Sequence, residues 1–518
     1  MTTDKTMTVP KAPLRILVEM RPALEGHAGI PQETRLLFRG LSVLDDVRVE
    51  GLLQSGDSLL ARGLPPSGRS RWGRPLAMDR QLDRLGRVVI SLERTTFTWL
   101  AYSETVLHTI GMALWHAIGG RQTLWRFDAQ HFRDYIWRRF FARTLPSADF
   151  DVVARASFRI ARIPWGAMHI SGLIARRFLG VAIYARLDTP DFDMMLTETP
   201  YPATVSRRTK LVVRYHDAIP VLMPHTISNR KHHQASHYWA LRNNVKHGAW
   251  FVCVSDATRK DLVSIFPEVE PRALTIHNMV SHEYFDEESS PERIPDIIKT
   301  RLNGRIKPPL DPSFTRRLFE QDAGSEPIDY LLMVSTIEPR KNHLTLLAAW
   351  ERLRVENYPS LKIIVVGESG WRSKPIVSKF RPWMERGDIF LVSDVPSPDL
   401  RLLYKHALAT ICPSFGEGFD FSGVEAMKSG GAVIASDIPV HREVYADAAE
   451  YFNPYSGGEL MRAIRLVIDA KSRARRDELV VKGAVVAQRY AYETILPKWQ
   501  KFLETCSSES SSPAPARA

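Results

Sequence analysis

Short apolar runs alternate with amphipathic stretches in the C-terminal part of the chain, which predicts strands separated by helices. We predict strands at Tyr330–Val334, Leu361–Val366, Ile389–Val392, Leu408–Cys412 and Gly431–Ala435. The stretches between them, such as NHLTLLAAWERLRVEN, carry a helical period. Continuous apolar strands joined by helices form a parallel sheet that is covered on both faces. This region is therefore predicted to be an α/β unit.

A second α/β unit is predicted in the N-terminal part. Its strands are Arg15–Glu19, Lys210–Tyr215, Trp250–Val254 and Leu274–His277. Residues 60–200 lack this alternation, and we interpret them as a helical insertion. The predicted division of the chain is an N-terminal domain at 12–285, a linker at 286–326, a C-terminal domain at 327–490, a return helix at 491–505 and a disordered tail at 506–518.

Composition restricts the class of protein. The chain has 518 residues, 44% hydrophobic and 25% charged, which excludes a largely disordered chain and a coiled-coil rod. Three widely spaced cysteines exclude a disulfide scaffold and a multi-cysteine zinc module. The N-terminus lacks the apolar core of a secretory signal, and the apolar window 95–120 contains Glu104, His108 and His116. We expect a cytoplasmic protein without a membrane span.

Positive charge is concentrated in one segment. The net charge is +12, and residues 121–180 contain 11 Arg, no Lys and 4 Asp among many aromatic residues. In FRDYIWRRFF, Phe132, Ile136 and Phe140 recur every four residues, which predicts an amphipathic helix. Two interpretations remain open: an interfacial helix on the inner-membrane surface, or a core helix with a solvated basic edge.

Directly after strand Tyr330–Val334 comes STIEPRKN, in which Arg340 and Lys341 precede a helix. The free N–H groups of a helix start and two cations can neutralise a diphosphate. Taken alone, the pair could also be a solvated surface.

The loop PSFGEGFDFSGVEAM follows strand Leu408–Cys412. Glycines allow a ligand to approach the backbone closely, and Ser422 is a plausible helix cap. The carboxylates of Glu417 and Glu425 could accept hydrogen bonds from sugar hydroxyls. The alternative is that both glutamates only cap a helix.

Histidines cluster in the N-terminal unit, where eight of 16 lie between His216 and His282. The helical spacing of HHQASHY lacks the glutamate of a zinc motif, so we predict no metal site there. His216 differs because it follows strand Lys210–Tyr215, although a satisfied buried histidine is also possible at that position. The turn GHAGIP after the first strand carries only a weak signal.

Together these motifs resemble the retaining glycosyltransferases of family 4. The resemblance rests on the motifs STIEPRKNHLTLL, KIIVVGESGW, EGFDFSGVEAM, VSDATRKDL followed by LTIHNMV, and RYHDAIPVLMP. The resemblance covers about residues 12–30 and 205–505. It implies the GT-B fold, in which two Rossmann-like domains face each other across a cleft.

The resemblance also implies residue roles. Lys341 would bind the donor diphosphate; Thr336 stands where the family has an arginine, so Arg340 is the candidate replacement. Glu425 would hold the ribose, Glu417 would lie near the donor sugar, and His216 would be the active-site histidine. The implied catalytic set is His216, Glu417, Arg340 and Lys341. The other implied donor-binding residues are Gly29, Ile30, Gly418, Phe419, Asp420, Phe421, Ser422 and Gly423. The family's EGFGLP is EGFDFS here, which is expected to bring Asp420 near the sugar pocket.

The predicted function is retaining, metal-independent and cofactor-free transfer of a hexose, with mannose as a candidate. The donor would be a GDP, UDP or dTDP sugar and the acceptor a saccharide or lipid-linked saccharide in surface polysaccharide biosynthesis. No nucleic acid partner is expected. The alternatives are a GT-B sugar-nucleotide epimerase, a phosphorylase-like enzyme, or a non-catalytic scaffold that binds membrane or nucleic acid.

Overall fold

The protein is described by a computed structural model. It describes residues 12–508 with the exception of residues 25, 28, 55–62, 68–75, 94–105, 107–108, 117, 228–229, 303–327, 470 and 472. Most of the predicted linker and residues 509–518 of the predicted tail therefore lie outside the described residues.

The first domain is built on an eight-stranded sheet with the order β11-β10-β9-β7-β1-β2-β5-β4. Its strands are β1 (Leu14–Glu19), β2 (Val47–Leu53), β4 (Trp125–Phe127), β5 (Ser157–Ile160), β7 (Met194–Thr197), β9 (Lys210–Tyr215), β10 (Trp250–Cys253) and β11 (Ala273–Thr275). All neighbouring pairs are parallel except β4 and β5. A small side sheet contains β3 (Gln122–Thr123), β6 (Ala185–Asp188) and β8 (Ala203–Thr204).

The second domain contains a six-stranded parallel sheet with the order β14-β13-β12-β15-β16-β17. Its strands are β12 (Tyr330–Val334), β13 (Lys362–Val366), β14 (Ile389–Val392), β15 (Ala409–Cys412), β16 (Val433–Ser436) and β17 (Ala449–Phe452). Leu332 and Ile364 pack in one apolar cluster, whereas Leu331 and Ile363 pack in another on the opposite face. Successive side chains of a strand point to opposite faces, so burial of both faces explains the continuous apolar runs.

Helices cover both sheets. In the first domain they are α1 (Ile30–Ser42), α2 (Met78–Glu93), α3 (Arg133–Ile136), α4 (Phe150–Ala154), α5 (Trp165–Leu179), α6 (Ile219–Leu222), α7 (Arg230–Lys246) and α8 (Asp256–Ile265). The remaining helices are α9 (Ile294–Arg301), α10 (His343–Glu356), α11 (Lys374–Met384), α12 (Ser397–His406), α13 (Phe421–Lys428), α14 (Pro439–Tyr445), α15 (Gly457–Ile468), α16 (Arg473–Ala487) and α17 (Tyr492–Ser508). None of the helices in the described ranges is both long enough and apolar enough to cross a lipid bilayer.

The prediction of a helical insertion at 60–200 is wrong in part. Strands β5 and β7 lie within this range, and β7 pairs with β1 and β9 at the centre of the first sheet. Both strands have only four residues, too short for a clear apolar period. The region therefore contributes to the core sheet as well as adding helices.

The aromatic segment FRDYIWRRFF belongs to the core. Ile136, Phe140 and Phe141 are buried in the apolar cluster of the first domain, and Phe132 and Trp137 pack against it. The core-helix interpretation is therefore confirmed for this segment. Phe140 and Phe141 are fully covered by this core, whereas Phe132, Tyr135 and Trp137 are partly buried at its edge.

The predicted linker and tail also need correction. Helix α9 lies in the linker range and buries Ile294, Ile297 and Ile298 against the core of the second domain. The last helix, α17, continues to Ser508, and Cys506 is buried in the core of the first domain. The helix α9 was not predicted from the sequence, whereas the return helix was predicted at 491–505 and extends three residues further. Thus the C-terminal helix returns to the first domain and joins its core.

Candidate active site

Four strands end at the same place in the molecule. His216 follows β9, Ser255 follows β10 after one intervening residue, and the segments that follow β12 and β15 contain the candidate residues of the second domain. Ligands of open parallel α/β sheets bind outside the carboxyl ends of the strands. The two sheets therefore present their ligand-binding edges to one cleft.

Two cations converge on one carboxylate at the edge of the second sheet. Lys341 Nζ lies 2.6 Å from Glu417 Oε1, and Arg340 Nη1 lies 2.6 Å from Glu417 Oε2. Arg340 also donates to the carbonyl oxygen of Gly416 and pairs with Glu338. A diphosphate at this position would compete with Glu417 for both cations.

The charges of this cluster stabilise one another. Burial alone would raise the pKa of Glu417, but Arg340 and Lys341 outweigh burial and lower it. Burial would lower the pKa of Arg340, but Glu417 and Glu338 raise it. These ion pairs therefore favour the charged forms of Glu417 and Arg340.

A sharp turn presents the cations to the cleft. Pro339–Lys341 form a 3-10 turn after β12, and Asn342 has a left-handed backbone with φ 61°. The side-chain amide of Asn342 donates to the carbonyl oxygens of Pro413 and Pro454. This amide joins the cation turn to the loop that contains Glu417.

The two domains touch at Gly418. The carbonyl oxygen of Gly418 accepts a hydrogen bond of 2.7 Å from the Ser255 hydroxyl. A Cβ atom on Gly418 would lie 1.7 Å from the carbonyl oxygen of His216. Only glycine fits there, because real Cβ contacts never approach so closely. The loop that contains Glu417 therefore packs directly against the segment of the first domain that contains His216.

Within the first domain, a buried carboxylate contacts the ring of His216. Its Nε2 lies 3.0 Å from Oε2 of Glu198, which directly follows β7 and has no exposed side-chain surface. Burial lowers the pKa of His216 to about 4. Burial likewise raises the pKa of Glu198. A neutral imidazole is the expected form at physiological pH.

The start of α1 is tied to β9 by a buried ion pair. Arg214 Nη2 lies 2.9 Å from Glu33 Oε1, and neither side chain is exposed. Gly29 has φ 71° and precedes α1, whose first residue is Ile30. A Cβ atom on Gly29 would meet nothing within 4 Å, so the backbone there borders open space. The ion pair thus holds Gly29 and Ile30 beside the segment that ends in His216.

Glu425 is buried beneath the same region and receives a hydrogen bond from the first domain. Gln32 Nε2 donates to Oε1 at 2.8 Å, and the Tyr404 hydroxyl donates to Oε2 at 3.0 Å. Burial raises the pKa of Glu425 to about 7, although these hydrogen bonds oppose the shift. A ribose that used this carboxylate would replace the contact with Gln32.

Asp420 does not present a free carboxylate to a sugar. His441 Nε2 lies 3.1 Å from Oδ2, and the Ser422 hydroxyl donates to Oδ1 at 2.6 Å. Burial would raise the pKa of Asp420, but the hydrogen bond with His441 and the charge of Lys341 lower it. This carboxylate fixes the turn before α13. That Asp420 lies near the sugar pocket stays a prediction.

The remaining predicted residues surround this turn. Helix α13 begins at Phe421, and no side chain caps it. Phe419 and Phe421 are buried, with ring centroids 5.2 Å apart. A Cβ atom on Gly423 would lie 2.3 Å from the ring of Tyr445. The uncapped amides remain available to an anion, while the aromatic rings hold the backbone in place.

The histidines of α7 form no metal centre. His237 is packed beside the ring of Tyr215, and burial lowers its pKa to about 3. Within the described ranges there is no group of three His, Cys, Asp or Glu side chains placed to hold a metal ion.

Sequence reasoning missed Gln32, Glu198 and His441. Glu198 follows the apolar run Met194–Leu196, and an acidic residue after a strand was a usable signal. Gln32 and His441 gave no such signal, because their partners lie 393 and 21 residues away in the chain.

Comparison with known proteins finds a family model that matches part of the chain. The family model of glycosyl transferases group 1 matches residues 316–480. The serotype-specific mannosyltransferase WbdA of Escherichia coli is 33% identical over 135 residues, which are 26% of this chain and 16% of that protein. The O-antigen chain mannosyltransferase B of Escherichia coli is 24% identical over 254 residues, 49% of this chain and 60% of that protein. The chain therefore matches these relatives over only part of their length.

Solved structures resemble the whole chain. The sucrose-phosphate synthase of Thermosynechococcus elongatus has a TM-score of 0.56 at 12% identity and covers 96% of this chain and 100% of that chain. Anabaena Alr3699/HepE in complex with UDP has a TM-score of 0.52 at 12% identity and covers 95% of this chain and 100% of that chain. At such identity the likeness shows the fold alone. It confirms the predicted class of two Rossmann-like domains facing across a cleft.

Proposed function

We propose that this chain transfers a hexose from a nucleoside diphosphate sugar with retention of configuration, because residues 316–480 match the family model of glycosyl transferases group 1. The observation that carries the proposal is the convergence of Arg340 and Lys341 on Glu417, next to the Gly418–His216 contact. This arrangement supplies positive charge and fixed backbone dipoles at one point of the cleft.

The cations stabilise the departing group. Cleavage of the bond between a sugar and a nucleoside diphosphate places negative charge on the β-phosphate. Lys341, Arg340 and the uncapped start of α13 are preorganised to receive that charge. Two cations can serve in place of a divalent metal, so we propose a metal-independent and cofactor-free reaction.

Glu417 does not act as a covalent nucleophile in this proposal. Both of its oxygens contact a cation at 2.6 Å, and a carboxylate held in this way is a weak nucleophile. The acceptor hydroxyl attacks the same face from which the phosphate leaves, and the departing phosphate takes its proton. A neutral His216 can accept or donate a hydrogen bond to the sugar without adding charge.

The acceptor is proposed to be a saccharide or lipid-linked saccharide in surface polysaccharide biosynthesis, on the cytoplasmic side of a membrane. The support comes from the relatives, two of which are named as O-antigen chain mannosyltransferases. The same names make mannose the first candidate for the sugar and GDP the first candidate for the carrier.

Nucleotide binding tests the site first. Thermal unfolding is measured with GDP, UDP, ADP and dTDP and with their hexose conjugates. A ligand present at 100 times its Kd stabilises the native state by about 2.7 kcal/mol. One nucleotide should raise the Tm, and Lys341→Ala should abolish that shift. Arg352→Ala, an exposed cation on α10, is the matched control and should keep it.

Product analysis then tests the reaction. Incubation of the selected donor with saccharide acceptors should give a product whose anomeric configuration, read by NMR, matches that of the donor. An inverted product would refute retention. Epimerisation of the donor without an acceptor would favour the epimerase. Absence of any nucleotide-dependent shift would favour a non-catalytic scaffold.

A further inference from the structure

A basic cavity opens at the edge of the first domain that faces away from the candidate active site. It has a volume of about 420 Å³, and its lining comes from residues 182–187, 204–207 and 243–247 together with Arg121. The last two of these ranges directly precede β9 and β10, whereas His216 and Ser255 follow the same strands. Strand β9 has six residues, so about 20 Å of sheet separates the cavity from His216.

The lining of this cavity attracts anions. Arg121, Arg186, Arg207, Lys246 and His247 contribute to it, and among the described residues no carboxylate lines it. The nearest carboxylate partner is Asp188, whose Oδ1 lies 3.8 Å from Arg121. Four permanent positive charges around one cavity favour a ligand with phosphate groups.

Large exposed apolar side chains occur within a few residues of the segments that line this cavity. Ile118, Phe178, Leu179 and Val181 are 79%, 77%, 63% and 58% exposed. Ile118 is three residues from Arg121, and Val181 adjoins Ala182 in the lining. Single exposed apolar residues are ordinary, but four beside one basic cavity mark an interaction surface.

Helix packing brings these groups to one edge. Arg176 of α5 stacks over the ring of Trp239 of α7 at 4.2 Å, so the two helices lie side by side. The last residues of α5 include Phe178 and Leu179, and the last residue of α7 is Lys246. The apolar side chains and the cations therefore project from the same side of the domain.

We propose that this surface, the docking face, binds an anionic phospholipid bilayer. Headgroup phosphates enter the cavity, while Ile118, Phe178, Leu179 and Val181 insert among the headgroups. Apolar side chains next to basic ones are the composition that binds such interfaces, and neither part alone suffices for a stable attachment. The docking face is separate from the buried FRDYIWRRFF segment.

Binding of the face to lipid does not require the proposed transferase activity. Its use does rest on that function: attachment would keep the cleft near a lipid-linked acceptor. The cleft and the docking face lie at opposite edges of the first sheet, so a docked enzyme can bind nucleotide and lipid together.

Vesicle sedimentation tests the proposal. The full chain is mixed at low salt with vesicles of phosphatidylcholine, and separately with vesicles that also contain phosphatidylglycerol. The wild type should sediment only with the second kind, and high salt should release it. The variant R186E/R207E/K246E should bind about 100-fold more weakly. The variant I118S/F178S/L179S should bind about tenfold more weakly or worse.

The matched control is R352E/V355S, which changes an exposed cation and an exposed apolar residue of α10 in the second domain. It should sediment like the wild type. All altered side chains are exposed, so each variant should keep the wild-type Tm. The proposal would be overturned if both docking-face variants sedimented as well as the wild type. It would also be overturned if the wild type did not sediment with the vesicles. A third result would also overturn the proposal. In that result the wild type does not bind vesicles but does bind nucleic acid, and only the charge variant loses the nucleic-acid binding.

A catalytic variant separates the two proposals. Lys341→Ala should lose nucleotide binding and still sediment with anionic vesicles. The docking-face variants should lose sedimentation and keep the nucleotide-induced Tm shift. Failure of the docking face alone therefore leaves the transferase proposal intact, and failure of nucleotide binding alone leaves the docking face intact.

Discussion

His216 Nε2 lies 3.0 Å from Glu198 Oε2, and this contact joins the ends of two neighbouring strands of the first sheet. Glu198 is itself fixed, because its backbone N–H donates to the carboxylate of Glu19 at 3.2 Å. A histidine with such a partner keeps one ring orientation. Glu198 is therefore a positioning residue for His216.

Substitution of Glu198 should separate orientation from charge. Glu198→Gln keeps a hydrogen-bonding side chain of the same size, so we expect kcat/KM to fall by less than about threefold. Glu198→Ala leaves His216 without this partner and should lower kcat/KM by about tenfold or more. Steady-state kinetics with donor and acceptor measure both. Equal losses in the two variants would contradict a positioning role.

Glu417 should oppose the binding of free nucleotide. The structure pairs it with Arg340 and Lys341, the cations that are proposed to bind the diphosphate. In Glu417→Gln the competing charge is gone, so we expect the Kd for the nucleoside diphosphate to fall by about threefold to tenfold while kcat also falls. Calorimetry gives the Kd. Weaker nucleotide binding in this variant would show that Glu417 assists the diphosphate instead.

The strands with long apolar runs were the easiest part of the fold to predict. Lys210–Tyr215, Tyr330–Val334 and Ile389–Val392 have the predicted bounds in the structure. The four-residue strands Ser157–Ile160 and Met194–Thr197 were not predicted. Their strand conformation depends on pairing within the sheet and not on a local sequence pattern. The periodicity of FRDYIWRRFF revealed an apolar face, but periodicity does not say whether core or lipid covers it.

The candidate site likewise has one part that the sequence predicts and another part that it does not. Arg340, Lys341 and Glu417 follow strand ends, and parallel topology alone brings such residues together. The environments of Glu425 and Asp420 depend on partners from other segments of the chain. Gln32 lies 393 residues from Glu425, and no local pattern encodes that contact. The turn of Asp420 likewise depends on His441, which comes from a later helix.

Glu425 should make stability depend on pH. Burial raises its pKa to about 7, whereas an unfolded glutamate titrates near 4.5. Between these values the native state holds a proton that the unfolded state has lost, so stability falls as pH rises from about 4.5 to 7. Above pH 7 the full effect is about 3 kcal/mol.

Glu425→Gln removes this titration. We expect the variant to exceed the wild type in the free energy of unfolding by about 3 kcal/mol at most at pH 8, and to match it at about pH 4. Nucleotide binding should weaken because the ribose loses its carboxylate. Urea unfolding at the two pH values provides the measurement. An equal difference at both pH values would show that Glu425 titrates normally.

Gly418→Ala should prevent close approach of the two domains. The new Cβ atom would lie 1.7 Å from the carbonyl oxygen of His216, and backbone on both sides leaves no flexible group to move. Misplacement of reacting groups by about 1 Å lowers rates about 100-fold, so we expect a loss of that size in kcat. Each domain keeps its own core, and cooperative unfolding should persist.

Gly86→Ala is the matched control for this variant. Gly86 lies within α2, and a Cβ atom there would meet nothing within 4 Å. Alanine favours a helix over glycine by about 0.5–1 kcal/mol, so this control should be slightly more stable and fully active. If Gly418→Ala kept wild-type kcat, the contact between Gly418 and His216 would not belong to the catalytic arrangement. Small-angle scattering with bound nucleotide distinguishes the two cases, because only a blocked cleft leaves the Gly418→Ala protein expanded.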